Sequence, residues 1–599
     1  MTRARIAILP TIAALSALSP VYALSQANWS TTYERSGYVA TGRYADAVTY
    51  CERLAAASHG KARVIRFGTS PQGRPMVALA MSGENAFTGV VAAASSRPLV
   101  IINNGIHSGE IEGKDADLLL ARDILITGKH ADLLKKVNIL LIPVFSVDAH
   151  ERFTPYNRIN QNGPVEMGWR ATAENLNLNR DFMKADSAEM RAMLGLIHSW
   201  KPDFLFDNHT TDGADWQYTI QIDVPTAPTL NPAGIEWSRQ LVSEAMPLVE
   251  KDGFLTSPYF DGVDYNNLKA GVTISDFGPR YSTGYMAAIN RPSMLVETHM
   301  LKTYKQRVDA TYSINLHVIE HIAVTAEALK AANRSADAAE ASLTAGTPVT
   351  LTALTSPVSR PFVFRGLEYK PFRSEVSGGM IPAWTSTPVD TQTTIRDQYL
   401  PGLVVSAPAA YLIPAQWADV ISRLKSHGIQ LKRLAKPVTG RYTVWRFKDI
   451  RFPPMPFESR FQPSFHTERS EEPLDLPGGS AVAVTSQPGA KLLMQLLEPD
   501  APDSLVRWGL MNTVFEQKEY FESYQMEKVA VKMLLEDANL KAEFEEKLKD
   551  PKFASSPRAR LEFLYEKSKY ADKYLNRYPI VPLTAAQLAA LPLVRNGNF

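Results

Sequence analysis

Short, wholly apolar runs alternate with stretches of helical period over the first half of the chain. Pro98–Ile102 (PLVII), Val137–Phe145 (VNILLIPVF), Phe204–Phe206 and Ser293–Glu297 lack the polar alternation of a half-exposed strand, so they predict strands buried on both faces. Between them, Asp115–Thr127 and Met183–His198 repeat apolar residues at helical spacing, as Tyr44–Ala57 does nearer the start. Val64–Phe67 and Met76–Ser82 predict a hairpin, because Gly68-Thr69-Ser70-Pro71-Gln72-Gly73 between them is turn chemistry throughout. Buried strands alternating with helices predict an α/β unit around a largely parallel sheet with both faces covered.

The texture then changes. Thr311–Ala332 predicts a long helix, and the Ala-, Ser- and Thr-rich stretch after it predicts a linker at 336–347. From Pro348 to about Pro488, short alternating segments rich in Pro, Thr and Val predict β structure, interrupted by a helical piece at Gln416–His427. Helical spacing returns in Leu505–Ala554. The expected organisation is a main domain at 24–335, the linker, and an accessory domain at 348–599 that is β-rich and then helical.

The first 23 residues are expected to be a secretory signal. Arg3 and Arg5 precede the apolar run Ile6–Leu18, and Pro20-Val21-Tyr22-Ala23 ends in a small residue. That run is too short for a membrane span and is broken by Pro10. A periplasmic or secreted protein with no membrane span after signal removal follows. At 599 residues, 45% hydrophobic and 21% charged, the chain is globular and long enough for more than one domain. Its net charge of +2 drops to about zero once Arg3 and Arg5 are removed, which argues against a nucleic-acid partner. Cys51 is the only cysteine, so intrachain disulfides and thiolate metal sites are excluded, as suits a periplasm.

The candidate chemistry begins in Ile101–Ala116 (IINNGIHSGEIEGKDA), where a strand runs into a loop holding His107 and Glu110. Zn²⁺ accepts both ligand types, and His209, at the end of the strand Phe204–Phe206, supplies a third. Two imidazoles and one carboxylate leave a position open, which is the catalytic rather than the structural arrangement. Zinc-assisted hydrolysis also needs a proton carrier, and Glu297 ends another buried strand. In Trp169–Phe182 (WRATAENLNLNRDF), Asn179 beside Arg180 offers an amide and a planar fork for a carboxylate. Arg170 upstream can serve an oxyanion.

In that order, from His-x-x-Glu through Asn-Arg to His and Glu, and with the lead-in Gly68–Pro75 (GTSPQGRP), the residues over roughly Thr31–Thr311 resemble the M14 family of zinc carboxypeptidases. The resemblance implies an α/β/α sandwich around a mixed eight-stranded sheet, one zinc ion held by His107, Glu110 and His209, and hydrolysis of a C-terminal peptide bond. It implies that Asn179 and Arg180 grip the free C-terminal carboxylate of a peptide substrate, that Arg170 stabilises the oxyanion, and that Glu297 acts as base and then acid. Three departures accompany it. Asn177 stands where the family has Asp behind a zinc-bound His, with Asp207 as a candidate substitute. The family's substrate-binding Tyr falls among Tyr265, Tyr281 and Tyr285, of which Tyr285 is the expectation. Asp276 and Arg280 lie where side-chain specificity would be set. His299 shares a strand face with Glu297. Related amidoacylases and murein peptidases share the motif pattern, so hydrolysis of N-acyl amino acids or cell-wall peptides is the alternative in the same chemistry. A binding protein with a vestigial site is the alternative from another class.

Overall fold

The computed structural model describes residues 29–264 and 267–598, so the expected signal segment lies outside the described residues, as does Tyr265. Eight strands form one mixed sheet: β1 (Ala62–Thr69), β2 (Pro75–Met81), β3 (Leu99–Asn104), β4 (Asn138–Ile142), β5 (Phe204–Thr211), β6 (Ile220–Asp223), β7 (Thr256–Pro258) and β8 (Ser293–His299). Their order across the sheet is β1-β2-β4-β3-β5-β8-β6-β7. The central pairs β4/β3, β3/β5 and β5/β8 are parallel. The hairpin β1/β2 and the pairs β2/β4 and β8/β6 are antiparallel.

Both faces of the central strands are buried, as continuous apolar runs require. On one face Val100, Ile102, Phe206 and Val296 pack against α1 (Tyr44–Ala57), α2 (Glu112–Arg122), α4 (Pro232–Lys251) and α6 (Tyr304–Val324). Cys51, on α1, is fully buried in this layer. On the other face Ile101, Leu140 and Leu205 pack against α3 (Ala188–Trp200) and α5 (Ser282–Ala288). The result is the expected α/β/α sandwich around an eight-stranded mixed sheet.

Four details differ from the sequence expectation. α3 starts at Ala188 rather than Met183, because the Ser187 side chain accepts the Met190 N–H and caps it there. β5 runs on to Thr211, so His209 sits inside a strand. Its polar residues Asp207–Thr211 are buried and laddered to β8. Glu297 likewise lies within β8 rather than at its end. The single long helix expected at Thr311–Ala332 is two helices, α6 and α7 (Ala326–Ala341), which meet at Thr325, and α7 occupies the first half of the stretch read as a linker.

The C-terminal half is β-rich with several sheets, followed by helices. It holds a five-stranded sheet and two long ribbons, Arg360–Arg373 with Met380–Arg396 and Val438–Arg451 with Ser464–Leu476, the first of which pairs with Val272–Thr273 of the first half. This half shares a core with the sandwich: Tyr411, Ile413, Leu492 and Trp508 belong to the apolar cluster that contains Met190, Leu194 and Tyr285. Trp508 is fully buried at this seam. It is stacked on Phe457 with ring centroids 6.2 Å apart and lies under the Arg280 guanidinium at 4.9 Å. Trp508→Ala is expected to cost about 3–5 kcal/mol. Because the core is shared, a single unfolding transition should move to lower denaturant as a whole. A shift confined to one of two separate transitions would mean that the halves fold independently.

Candidate metal centre

β3, β5 and β8 point their carboxyl ends to one rim, the side on which open α/β sheets gather ligand groups. The chain leaves β3 at Gly105, whose φ of +66° a side chain rarely adopts, and turns so that His107 and Glu110 face back over the strand ends. Gly109 is fixed by crowding, since a Cβ there would lie 2.8 Å from Arg158 Cγ. With that space open, Arg158 lies across the loop and donates to Glu110 Oε1 at 2.8 Å.

His107, Glu110 and His209 meet. Their ligand atoms all lie within 4.8 Å of one another, and all three residues are buried. Both imidazoles turn Nδ1 to the same oxygen, Glu110 Oε2, at 3.2 Å from His107 and 2.9 Å from His209. The far nitrogens are held from behind. His107 Nε2 lies 3.0 Å from Asn177 Oδ1, and His209 Nε2 lies 3.1 Å from Asp207 Oδ2. Asp207 is itself fixed by the Asn103 amide, which donates to its Oδ1 at 2.9 Å. The ionic support thus stands behind His209 and the neutral one behind His107, so Asp207 does not substitute for Asn177 at His107. Glu110 Oε1 accepts from Arg158 and, at 3.1 Å, from Arg170.

Glu297 is the register partner of His209 across the parallel pair β5/β8, so the two side chains emerge side by side on one face. It is buried, and its Oε2 has no hydrogen-bond partner among the described residues. Burial pushes its carboxyl up to about 8, the nearby Glu110 and Asp207 carboxylates adding to the effect and His209 opposing it. Burial pulls His209 down, but the Asp207 carboxylate outweighs this and holds it well above its ordinary value. His107, where burial dominates, lies below its ordinary value.

A cavity of about 170 Å³ opens over this group, and Arg158, Arg170, Asn179, Arg180 and Glu297 line it. Asn179 and Arg180 are presented by the tight turn Leu178–Arg180, in which Asn177 Oδ1 accepts the Asn179 N–H at 3.0 Å. Tyr285, the expected substrate-binding Tyr, is not at the cavity. It is fully buried, with its hydroxyl 2.8 Å from His198 Nε2 and 3.0 Å from His427 Nδ1. Tyr281, one helical turn earlier, lines the cavity instead, and the Arg180 guanidinium lies over its ring at 4.4 Å. Gly284 permits close packing here. A Cβ there would run into the Phe277 and Gly278 carbonyls, so α5 packs hard against the segment that carries Tyr281. Asp276 and Arg280 do not line this cavity; Asp276 accepts from Thr229, and Arg280 pairs with Asp503 at 2.6 Å. His299 is held by the Ala214 carbonyl and the Leu301 N–H and does not contact Glu297. Arg158 and Tyr259, which also line the cavity, carry no motif in the sequence.

Residues 47–195 match the family model of zinc carboxypeptidases. This stretch belongs to the zinc carboxypeptidase family. Members of that family are zinc enzymes, and the match supports a hydrolase of peptide bonds. The matched stretch holds His107, Glu110, Arg170, Asn179 and Arg180, whereas His209 and Glu297 join the group through the fold. Carboxypeptidase 2 of Trichophyton rubrum is 24% identical over 451 residues, covering 71% of this chain and 77% of that protein. Among solved structures, a metallo-carboxypeptidase from Burkholderia cenocepacia is 15% identical with a TM-score of 0.36, covering 47% of this chain and 70% of its own. Carboxypeptidase A from Helicoverpa armigera is 16% identical with a TM-score of 0.34, covering 49% and 74%.

The donor set fits zinc: two imidazole nitrogens and a carboxylate oxygen, buried, with each imidazole fixed from behind. The Asp207 carboxylate favours the protonated form of His209, and metal binding requires the neutral one. Zinc uptake is therefore expected to release protons and to weaken progressively from neutral pH downward. Titration calorimetry in two buffers of different ionisation enthalpy measures this. Uptake with no net proton release at pH 7 would contradict the assignment.

Proposed function

We propose that the chain is an exported carboxypeptidase that removes C-terminal residues from peptides, using one zinc ion held by His107, Glu110 and His209. The meeting of those three ligand atoms beside an unpartnered Glu297 carboxyl carries this reading. Bound zinc polarises a carbonyl and lowers the pKa of a water. Glu297 accepts the proton of the attacking water and later delivers it to the leaving amine nitrogen. A raised pKa suits it to both tasks near neutral pH. Asn179 and Arg180 bind the substrate's terminal carboxylate, and the Tyr281 ring flanks the Arg180 guanidinium. Arg170, with 44% of its side chain exposed, is free to turn to the oxyanion, whereas Arg158 at 14% stays on Glu110. Export is supported by Arg3 and Arg5 ahead of Ile6–Leu18, and by the single cysteine. Among the described residues no helix is long and apolar enough to cross a membrane.

The zinc-loaded protein, assayed on a peptide library by mass spectrometry, is expected to release single C-terminal residues. Preference for N-acyl amino acids or muropeptides in the same assay would favour an amidohydrolase, and no turnover at all a vestigial site. Glu297→Gln should retain zinc and lose roughly 10²–10⁴ in rate, the usual worth of a positioned proton carrier. Full turnover in that variant would remove Glu297 from its role. Arg180→Ala should raise KM roughly tenfold to a hundredfold, as for loss of a charge-assisted pair. That loss applies to free C-termini only. C-terminally amidated peptides should be little affected, and an equal effect on both would make Arg180 structural.

A further inference from the structure

We propose that Glu458, supplied by the C-terminal half, is a positioning residue of the metal centre. It acts through Asn177 on His107 and on the turn that presents Asn179 and Arg180. The inference rests on the carboxypeptidase reading for its consequence in turnover, but not for its consequence in metal binding.

Asn177 is the junction. Its side-chain oxygen meets two hydrogen-bond donors, His107 Nε2 and the Asn179 N–H, each at 3.0 Å. Its rotamer therefore sets both the support behind one zinc ligand and the pitch of the carboxylate clamp. An aspartate there would hold its partners by charge; a neutral amide holds them more weakly and depends more on its own backbone being fixed. That fixing comes from across the seam: Glu458 Oε2 accepts the Asn177 N–H at 3.0 Å, 281 residues along the chain.

Glu458 is held for this task. Phe457 stacks on the buried Trp508, and Asn512 donates to the Phe461 carbonyl at 2.9 Å. Arg460 grips Asp186 through both oxygens, at 2.9 and 2.5 Å. Between these anchors Glu458 and Ser459 take φ of +48° and +68°, which non-glycine residues adopt only where their surroundings enforce it. Asp186, which follows the clamp by a few residues, also pairs with Arg423, so the loop and the clamp share one frame. The carboxylate also stands among the charges around Arg180, with Arg170 and Arg280. It tempers that positive cluster without pairing with it.

The test compares Glu458→Ala with Glu458→Gln in the full-length, zinc-loaded protein. Glutamine keeps an acceptor oxygen at the same reach and loses only the charge. Glu458→Ala should weaken zinc affinity roughly tenfold or more in competition with a chelator, the usual effect of loosening support behind a ligand. On peptides it should lower kcat and raise KM together. Glu458→Gln should remain within about threefold of the parent on both measures, as a retained hydrogen bond predicts. Alanine behaving as the parent would overturn the proposal. Glutamine as damaged as alanine would also overturn it, by making the charge and not the hydrogen bond the agent. A contact that merely braces the seam would lower the unfolding temperature without changing zinc affinity, and that result too would count against it. If the parent protein releases no C-terminal residues, the carboxypeptidase reading fails, while the zinc-affinity comparison still decides the role of Glu458.

Discussion

One carboxylate oxygen, Glu110 Oε2, is the point to which the rest of the centre is fitted. Two imidazoles aim at it because neither is free to aim elsewhere: Asn177 holds the back of His107 and Asp207 the back of His209. The carboxylate's other oxygen is tied to two guanidinium groups. Burying so much charge is tolerable only because almost every lone pair and proton has a partner. Glu297 Oε2 is among the buried atoms here without a hydrogen-bond partner, and Glu297 lines the cavity.

The sheet explains how these groups come together across a hundred and more residues. His209 and Glu297 are neighbours because β5 and β8 run parallel in register, and His107 and Glu110 arrive because β3 is on β5's other side. Alternation along the strands does the sorting. Asn103, Asp207, His209 and Glu297 fall on the face that carries α3, α5 and the C-terminal half, while Val296 and Thr298 turn the other way. That same face is where the shared core runs, so the chemistry sits at a seam between two halves of the molecule.

Much of this was legible in the sequence, for a physical reason. His107 with Glu110 and Asn179 with Arg180 are local signatures, and buried strands show themselves as unbroken apolar runs. What was not legible depends on packing. Arg158 reaches Glu110 only because Gly109 leaves room for it, a fact of two chains crossing. Tyr281 and Tyr285 differ by one helical turn, and packing sets which ring meets Arg180 and which is locked between His198 and His427. The strand character of Asp207–Thr211 was hidden because polar residues in a fully buried ladder look like a loop when read alone. Glu458 has no signature at all, since its meaning comes from a contact made 281 residues away.

The lone thiol of the chain has a practical use. Cys51 is sealed between α1 and the sheet, on the layer away from the metal centre, and burial pushes its thiol up to about 12. Alkylating reagents attack the thiolate, so they reach this atom only when α1 lifts off. The molecule therefore carries its own unfolding reporter, one that needs no engineered label and reads the opening of the layer opposite the chemistry.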